Sequence, residues 1–450
     1  MNRAEGMMFL LYDVIFIVFM IFYLPIFFVK LQQAENKKRL LLDRFGFFST
    51  QFKEKVSQKK IIWIHAVSVG EVLAAQNFLQ QLSNAVSGYQ IVFSTVTPTG
   101  NRIAKKIIEN KAEVFYLPLD VSWITNRVVR FLKPQLIILM ETELWPNLIL
   151  SAKKYGAKVA IVNGRVSPKS FRSYYRVKRL LRLVFRKIDL CLMQTERYAK
   201  RLKRIGVPDN KIRVTGNMKF DNVTVKPDTG EHSEKEKVRR GFQRQDKILI
   251  AASTHRGEEV FLCDMYRRLK QSYPELKLLI VPRHIERVNE ILGIFNNADL
   301  SFNVADTSAI SPELVNKKKD TNFDVYLLNT IGELRTIYSI GDIVFMGGSL
   351  IKHGGQNPLE AIVFKKPIVT GKHIFNFADI YETLFELDAI IKVSSPDKYV
   401  QAIEGLLGDQ KRTQAMADRA YAWLQEMKGA STRNSNHIIQ MLSVMQKGNS

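Results

Sequence analysis

Short apolar runs alternating with longer helical patterns constrain this chain more than any other feature, because that alternation builds parallel sheets from βαβ units. Residues 61–66, 91–95, 114–117, 136–140, 159–163 and 190–194 read as strands, with helices such as 71–82 and 100–109 between them. A polar stretch at 225–237 carries no apolar periodicity and reads as a linker. The alternation then restarts at 248–252, 277–281, 325–328, 343–346 and 367–369. At 450 residues the chain exceeds one compact core. Two Rossmann-like domains are therefore expected: a first over 31–222, a linker at 223–237, and a second over 238–450 whose last helix can pack back on the first.

The most informative loop runs from Gly347 to Ala361, Gly-Gly-Ser-Leu-Ile-Lys-His-Gly-Gly-Gln-Asn-Pro-Leu-Glu-Ala. An apolar run ends in glycines, and a second pair, Gly354 and Gly355, leads to a helix start with Asn357 as N-cap and Pro358 as first helical residue. Free N–H groups at such a start suit a phosphate, and Glu360 in the first turn could accept ribose hydroxyls. The pattern points to nucleotide binding.

A formal net charge of +24 favours anionic partners: nucleic acid, anionic lipid or phosphorylated substrates. Two cysteines, Cys191 and Cys263, with no C-x-x-C spacing argue against a disulfide framework or a zinc site, which fits a reducing compartment. Residues 7–29 form a near-continuous apolar run broken by Asp13 and Pro25, long enough for a bilayer core and lacking a cleavage pattern. Lys30, Lys37, Lys38 and Arg39 flank its C-terminal end against Arg3 alone at the other. Residues 1–30 are thus expected to be a membrane anchor, a single span in preference to an interfacial helix, with the body on the cytoplasmic side. A basic helix is expected over 169–187, where Arg172, Arg176, Arg179, Arg182 and Arg186 recur at helical spacing. It reads as a membrane-surface element or simply a solvated face.

In open parallel sheets ligands bind beyond the carboxyl ends of strands, and several polar clusters fall there. Glu71 follows the first strand. It fits a capping box with Ser68, and equally a carboxylate placed to take a proton from an acceptor hydroxyl. Glu141 and Glu143 end the fourth strand beside Trp145, where a salt bridge or a helix cap is the plainer explanation. Lys219, just before the linker, could meet a phosphate or carboxylate, or simply pair with Asp221. Ser253-Thr254-His255-Arg256 and Pro282-Arg283-His284 follow two strands of the second domain and combine donors suited to a phosphate. There is no Asp-x-Asp, no Walker loop and no G-x-G-x-x-G, and no histidine pair has metal-ligand spacing.

Together these segments resemble one family, the 3-deoxy-D-manno-octulosonic acid (Kdo) transferases of lipopolysaccharide synthesis. The resemblance is carried by His-Ala-Val-Ser-Val-Gly-Glu (65–71), Thr-Pro-Thr-Gly (97–100), Met-Glu-Thr-Glu-Leu-Trp-Pro-Asn (140–147), Gly-Asn-Met-Lys-Phe-Asp (216–221), Ser-Thr-His-Arg-Gly-Glu-Glu (253–259), Val-Pro-Arg-His (281–284) and the glycine-rich loop. It implies an α/β GT-B glycosyltransferase, two Rossmann-like domains facing a cleft. The first domain would hold a tetra-acylated lipid A precursor and the second CMP-Kdo. It implies inverting transfer at the inner membrane, with no cofactor and no essential metal.

On this resemblance Glu71 matches the general base, while Glu141 and Lys219 match groups assigned to transition-state stabilisation. CMP contacts carry over to Pro282 and Arg283, to Ile331, Gly332 and Glu333, and to Asn357, Pro358, Leu359 and Glu360. Ser253, Thr254, Gly354 and Gly355 are further donor-site candidates. The chain departs from many relatives at Gln356, where they have histidine, so neither Gln356 nor His353 receives a role. Implied partners are CMP-Kdo, the lipid A precursor and inner-membrane lipids. A nucleotide-sugar epimerase on the same fold is the alternative, disfavoured by the anchor and the basic helix. A nucleic-acid binder lacks any recognition motif.

Overall fold

The structure, a computed structural model, describes residues 3–32, 34–108, 111–223, 231–308, 310–311 and 322–447. It divides into two units. The first comprises the chain through Asn222 together with the last helix; the second begins at Val223 and ends at Glu426.

The first unit is built on a seven-stranded sheet of order β3-β2-β1-β4-β5-β6-β7. The strands are β1 (Lys60–Ala66), β2 (Tyr89–Thr95), β3 (Glu113–Tyr116), β4 (Pro134–Met140), β5 (Lys158–Gly164), β6 (Leu190–Met193) and β7 (Ile212–Val214). Every pairing is parallel. Helices cover both faces, so the central strands are apolar throughout rather than alternating. Ile61 and Trp63 of β1 enter one core, whereas Ile62, Ile64 and Ala66 enter the other. The buried indole of Trp63 donates to Ser94 Oγ at 2.7 Å, so its one polar atom costs little.

The last helix, Ala430–Lys447, belongs to this first unit. Its Ile438 and Leu442 share a core with Phe78 and Leu79 of the helix Val69–Ala85. Asp221 fixes its start: Oδ1 accepts from the Gly429 N–H at 2.6 Å and Oδ2 from the Ser431 N–H. A carboxylate on the free N–H groups of a helix N-terminus satisfies donors and complements the dipole.

The second unit repeats the plan with order β10-β11-β9-β8-β12-β13-β14. Its strands are β8 (Lys247–Thr254), β9 (Leu276–Pro282), β10 (Phe302–Val304), β11 (Val325–Leu327), β12 (Ile343–Met346), β13 (Ile368–Thr370) and β14 (Ile391–Lys392). All of its pairings are parallel as well.

Three strands, β7, β10 and β14, escape the sequence pattern because they are two or three residues long and lie at or near sheet edges. Residues 224–230 of the expected linker lie outside the described residues, and the chain is helical from Glu231 to Arg239. The expected basic helix is two, Pro168–Arg176 and Lys178–Lys187, parted where Val177 leaves helical geometry at φ −106°, ψ 24°. Its inner side chains Val184 and Phe185 are fully buried, which leaves Arg172, Arg176, Arg179, Arg182 and Arg186 exposed. The N-terminal helix, Arg3–Gln32, contains a stretch from Leu10 to Phe27 long and apolar enough to cross a membrane.

Replacing Asp221 by alanine should lower stability by about 1–2 kcal/mol, the worth of a strong helix cap. Denaturant unfolding of the variant beside Asp221→Asn, which keeps an acceptor, measures it. Equal midpoints for the alanine variant and the wild type would show that the cap is dispensable.

Candidate active site

Three loops of the first unit leave the carboxyl ends of β1, β4 and β7 and bring charged side chains together. After β1, the helix Val69–Ala85 starts with Ser68 as N-cap, but the hydroxyl of Ser68 does not cap it. It donates instead to Glu71 Oε1 at 2.9 Å, while the Val67 N–H donates to Oε2 at 2.8 Å. The expected capping box is thus not formed, and the interaction serves to aim Glu71. That residue is only 6% exposed. Burial is the chief cause that pushes its carboxyl up to about 7; the Val67 N–H and Ser68 hydroxyl pull it down, and the charges of Glu141 and Glu143 push it further up. A carboxylate tuned this way is half ionised near neutrality and can both hold and release a proton. Gly100 lies close by: a Cβ there would sit 2.8 Å from Thr97 Oγ1 and in ordinary contact with the backbone of Val67 and Ser68.

After β4, Glu141 adopts φ +54°, a left-handed conformation costly for a residue with a side chain. Its N–H is held by Val162 O at 2.9 Å. Its Oε1 meets Lys219 Nζ at 2.9 Å across 78 positions of sequence. Lys219 therefore does not pair with Asp221, whose carboxylate is spent on the last helix. Burial, and next the charge of Glu141, hold the Glu143 carboxyl above its ordinary value.

Asn163 escaped the sequence reading although it positions Lys219. It sits in β5 at φ +57°, fully buried, and its Oδ1 accepts from the Met218 N–H at 3.0 Å. Its signal was an amide in an otherwise apolar strand. His65 is buried as well, with Nδ1 against Ser94 Oγ at 2.9 Å. Burial drives its imidazole down to about 3, so it is neutral and structural.

In the second unit, Ser253, the penultimate residue of β8, adopts φ +56°, and Gly347 lies so close that a Cβ would meet Ser253 O at 2.4 Å. The first glycine pair does not present its N–H groups as a free cradle. Glu258, fully buried, accepts from Gly348 at 2.6 Å and from Ser349 and Leu350 at 3.0 Å, and also from His255 at 3.0 Å. An internal carboxylate thus takes up the N–H groups of Gly348, Ser349 and Leu350, away from the helix start that follows the second glycine pair. The helix after Asn357 is short, Leu359–Val363, and begins one residue later than expected, with Asn357 Oδ1 accepting from the Leu359 N–H at 3.2 Å.

The remaining donor-site candidates spread around these strand ends. Thr254 donates to the buried Glu259 at 2.9 Å, and Glu259 in turn holds Arg287 at 2.9 and 3.2 Å. Pro282 is buried, and the exposed Arg283 forms no salt bridge among the described residues. Ile331 is 84% exposed on a turn with Gly332 at φ +92°. Glu333 accepts from the Thr330 hydroxyl at 2.6 Å and pairs with Arg240 at 2.5 Å, and those hydrogen bonds hold its carboxyl below the usual range. Gly355 donates to Gly348 O at 2.8 Å, and Gly354, at φ +96°, packs against Phe375 and Asn376. Glu360 is exposed. Gln356 Nε2 lies 3.0 Å from His255 Nε2, and the His353 ring lies 3.8 Å from that of His255. Among the described residues no three His, Cys, Asp or Glu side chains gather to hold a metal ion.

A family described as 3-deoxy-D-manno-octulosonic-acid transferase (kdotransferase) matches residues 40–222, and glycosyl transferases group 1 matches 261–423. The 3-deoxy-D-manno-octulosonic acid transferase of Haemophilus influenzae is 37% identical over 403 residues, 89% of this chain and 91% of its own. This chain belongs to the 3-deoxy-D-manno-octulosonic acid transferase family. The namesake of Chlamydia muridarum is 29% identical over 88% of this chain and 89% of its own. Among solved structures, UDP-GlcNAc 2-epimerase from Neisseria meningitidis is similar at TM-score 0.54 with 14% identity, covering 85% of this chain and 99% of that one. At that identity the likeness is one of fold alone. The Kdo transferase family makes this protein a glycosyltransferase built on two parallel-sheet domains of GT-B type.

The carboxyl of Glu71 should titrate near 7 in carbon-13-labelled protein, and lower in Glu143→Gln, which removes one neighbouring negative charge. An unchanged titration would show that Glu143 does not act on it.

Proposed function

We propose that this transferase moves Kdo from CMP-Kdo to a tetra-acylated lipid A precursor, with inversion, on the cytoplasmic face of the inner membrane. The observation that carries the reading is Glu71: a buried carboxylate poised near 7, beside the Glu141–Lys219 pair, in a member of this family. The first unit holds the acceptor and the second, from about residue 238, holds the donor.

Glu71 takes the proton of the attacking acceptor hydroxyl as the new glycosidic bond forms at the anomeric carbon. The C–O bond to the CMP phosphate breaks on the opposite face, and CMP leaves with the bonding electron pair. Glu141 stabilises the positive charge that develops at the anomeric centre, as carboxylates do in glycosidases. Its pairing with Lys219 keeps that charge in place and sets a cation near the sugar's own carboxylate. In the second unit, Arg283 is the exposed cation suited to a phosphate, and the turn at Ile331, Gly332 and Glu333 offers backbone groups to a nucleobase. Ser253, Thr254, Gly354 and Gly355 shape the strand-end surface around it, and Asn357 through Glu360 supply the ribose side.

The alternative of a nucleotide-sugar epimerase gains nothing beyond the shared fold. The exposed arginines of Pro168–Arg176 and Lys178–Lys187 and the apolar N-terminal helix suit an enzyme whose acceptor, donor and supporting surface are all anionic or lipidic.

Purified protein incubated with the lipid A precursor and CMP-Kdo made in situ should yield acceptor heavier by one or more Kdo masses. Glu71→Gln should bind CMP as the wild type does yet give no product. Normal turnover in that variant would overturn the base assignment. Because the base works ionised, kcat/KM should rise as pH climbs through about 7 and fall below it, as the Glu71 carboxyl takes up a proton. A rate flat from pH 5.5 to 8 would contradict it.

A further inference from the structure

The N-terminal helix does not stand away from the first unit; it touches it at both ends. Near its start, the Tyr12 hydroxyl donates to Asp120 Oδ2 at 2.9 Å. Asp13, buried to 7% exposure, accepts from Asn147 Nδ2 at 2.6 Å and from the Ser122 N–H at 3.1 Å. Near its end, Phe27 and Leu31 pack on Ala34, Leu40 and Tyr116. Between these ends Phe16, Met20 and Tyr23 are only partly exposed, so the sheltered positions 12, 16, 20, 23, 27 and 31 form one stripe at helical spacing. Residues 12 and 31 stand about 28 Å apart along a helix, close to the thickness of a bilayer's hydrocarbon core. A helix threaded through that core cannot also rest along its whole length on a polar domain.

We infer that this helix lies in the plane of the membrane surface, locked to the first unit by the Tyr12–Asp13–Asp120–Asn147 cluster, with its outer face immersed in lipid. The occupant of that face is a bilayer because everything it offers is apolar: Ile15, Phe22, Ile26 and Val29 are 53–80% exposed. Asp13, the one charge between Leu10 and Val29, is turned inward onto the first turn of the helix Ser122–Leu132. Exposed Lys37 and Lys38 follow at the level of anionic headgroups. This arrangement differs from the single span that hydropathy favours. Asn147 closes the loop that begins at Glu141, so the lock ties the lipid surface to the candidate chemistry. A lipid-borne hydroxyl would then reach that loop from the side, without leaving its leaflet.

The test uses the full-length protein in native vesicles, where Cys191 and Cys263 are buried and silent. A cysteine at position 2 and another at exposed Lys411 should react with a membrane-impermeant maleimide from the same side of the membrane. Labelling of position 2 only from the opposite side, or from neither, would overturn the in-plane arrangement. Phe22→Glu should reduce binding to vesicles of phosphatidylethanolamine and phosphatidylglycerol at least tenfold. Unchanged binding, with copies of the protein cross-linking through a cysteine at position 22, would assign the face to a second copy instead. Asp13→Leu makes the helix more apolar but removes the lock. It should speed amide exchange in the first turn of Ser122–Leu132 at least tenfold with vesicle binding retained, and unchanged exchange would show that the cluster does not hold the helix.

Discussion

A parallel sheet returns every crossover to the same end, and that constraint governs this molecule. In the first unit the loops after β1, β4 and β7 open at the carboxyl edge, so Glu71, Glu141 and Lys219 arrive there from distant parts of the chain. The sheet supplies the rigidity that such a meeting requires. Its central strands are buried on both faces, and the last helix closes one of them. The Asp221 cap joins that closure directly to the segment carrying Lys219, two residues upstream.

Both units use buried and half-buried carboxylates in different ways, and the partners decide which. Glu258 receives four backbone N–H groups and acts as an internal anion that shapes the loop after β12. Asp221 and Asp120 cap helices, the latter taking the N–H groups of Asn147 at 3.2 Å and Leu148 at 2.9 Å. Glu71 has two donors, no cation, and two like charges nearby, so burial and repulsion push its carboxyl up to about 7, whereas burial and the charge of Asp13 push Asp120, which accepts from two N–H groups and the Tyr12 hydroxyl, only to about 6. The chemistry of a carboxyl group here follows from what surrounds it.

Much of the fold was legible. The apolar runs at 61–66, 136–140 and 343–346 became β1, β4 and β12 with ends shifted by no more than two residues, because buried parallel strands leave long uninterrupted apolar signals. The edge strand β14, two residues long, left none. The basic segment reads as one helix because its arginines keep helical spacing through Val177, where the backbone breaks without altering the pattern. The glycine-rich loop was legible as a loop at strand ends. That its first N–H groups are claimed by Glu258, some ninety positions earlier, was not.

By itself the sequence determined two parallel α/β sheets, an apolar N-terminal helix, a strongly basic surface and the family, since periodicity, composition and ordered motifs act over a few residues at a time. Only the tertiary structure decided that Lys219 meets Glu141 rather than Asp221, that Ser68 aims Glu71 instead of capping its helix, and that Asp13 faces the protein. Each of those outcomes depends on which groups packing removes from water, and local sequence does not encode the partner that a buried charge will find.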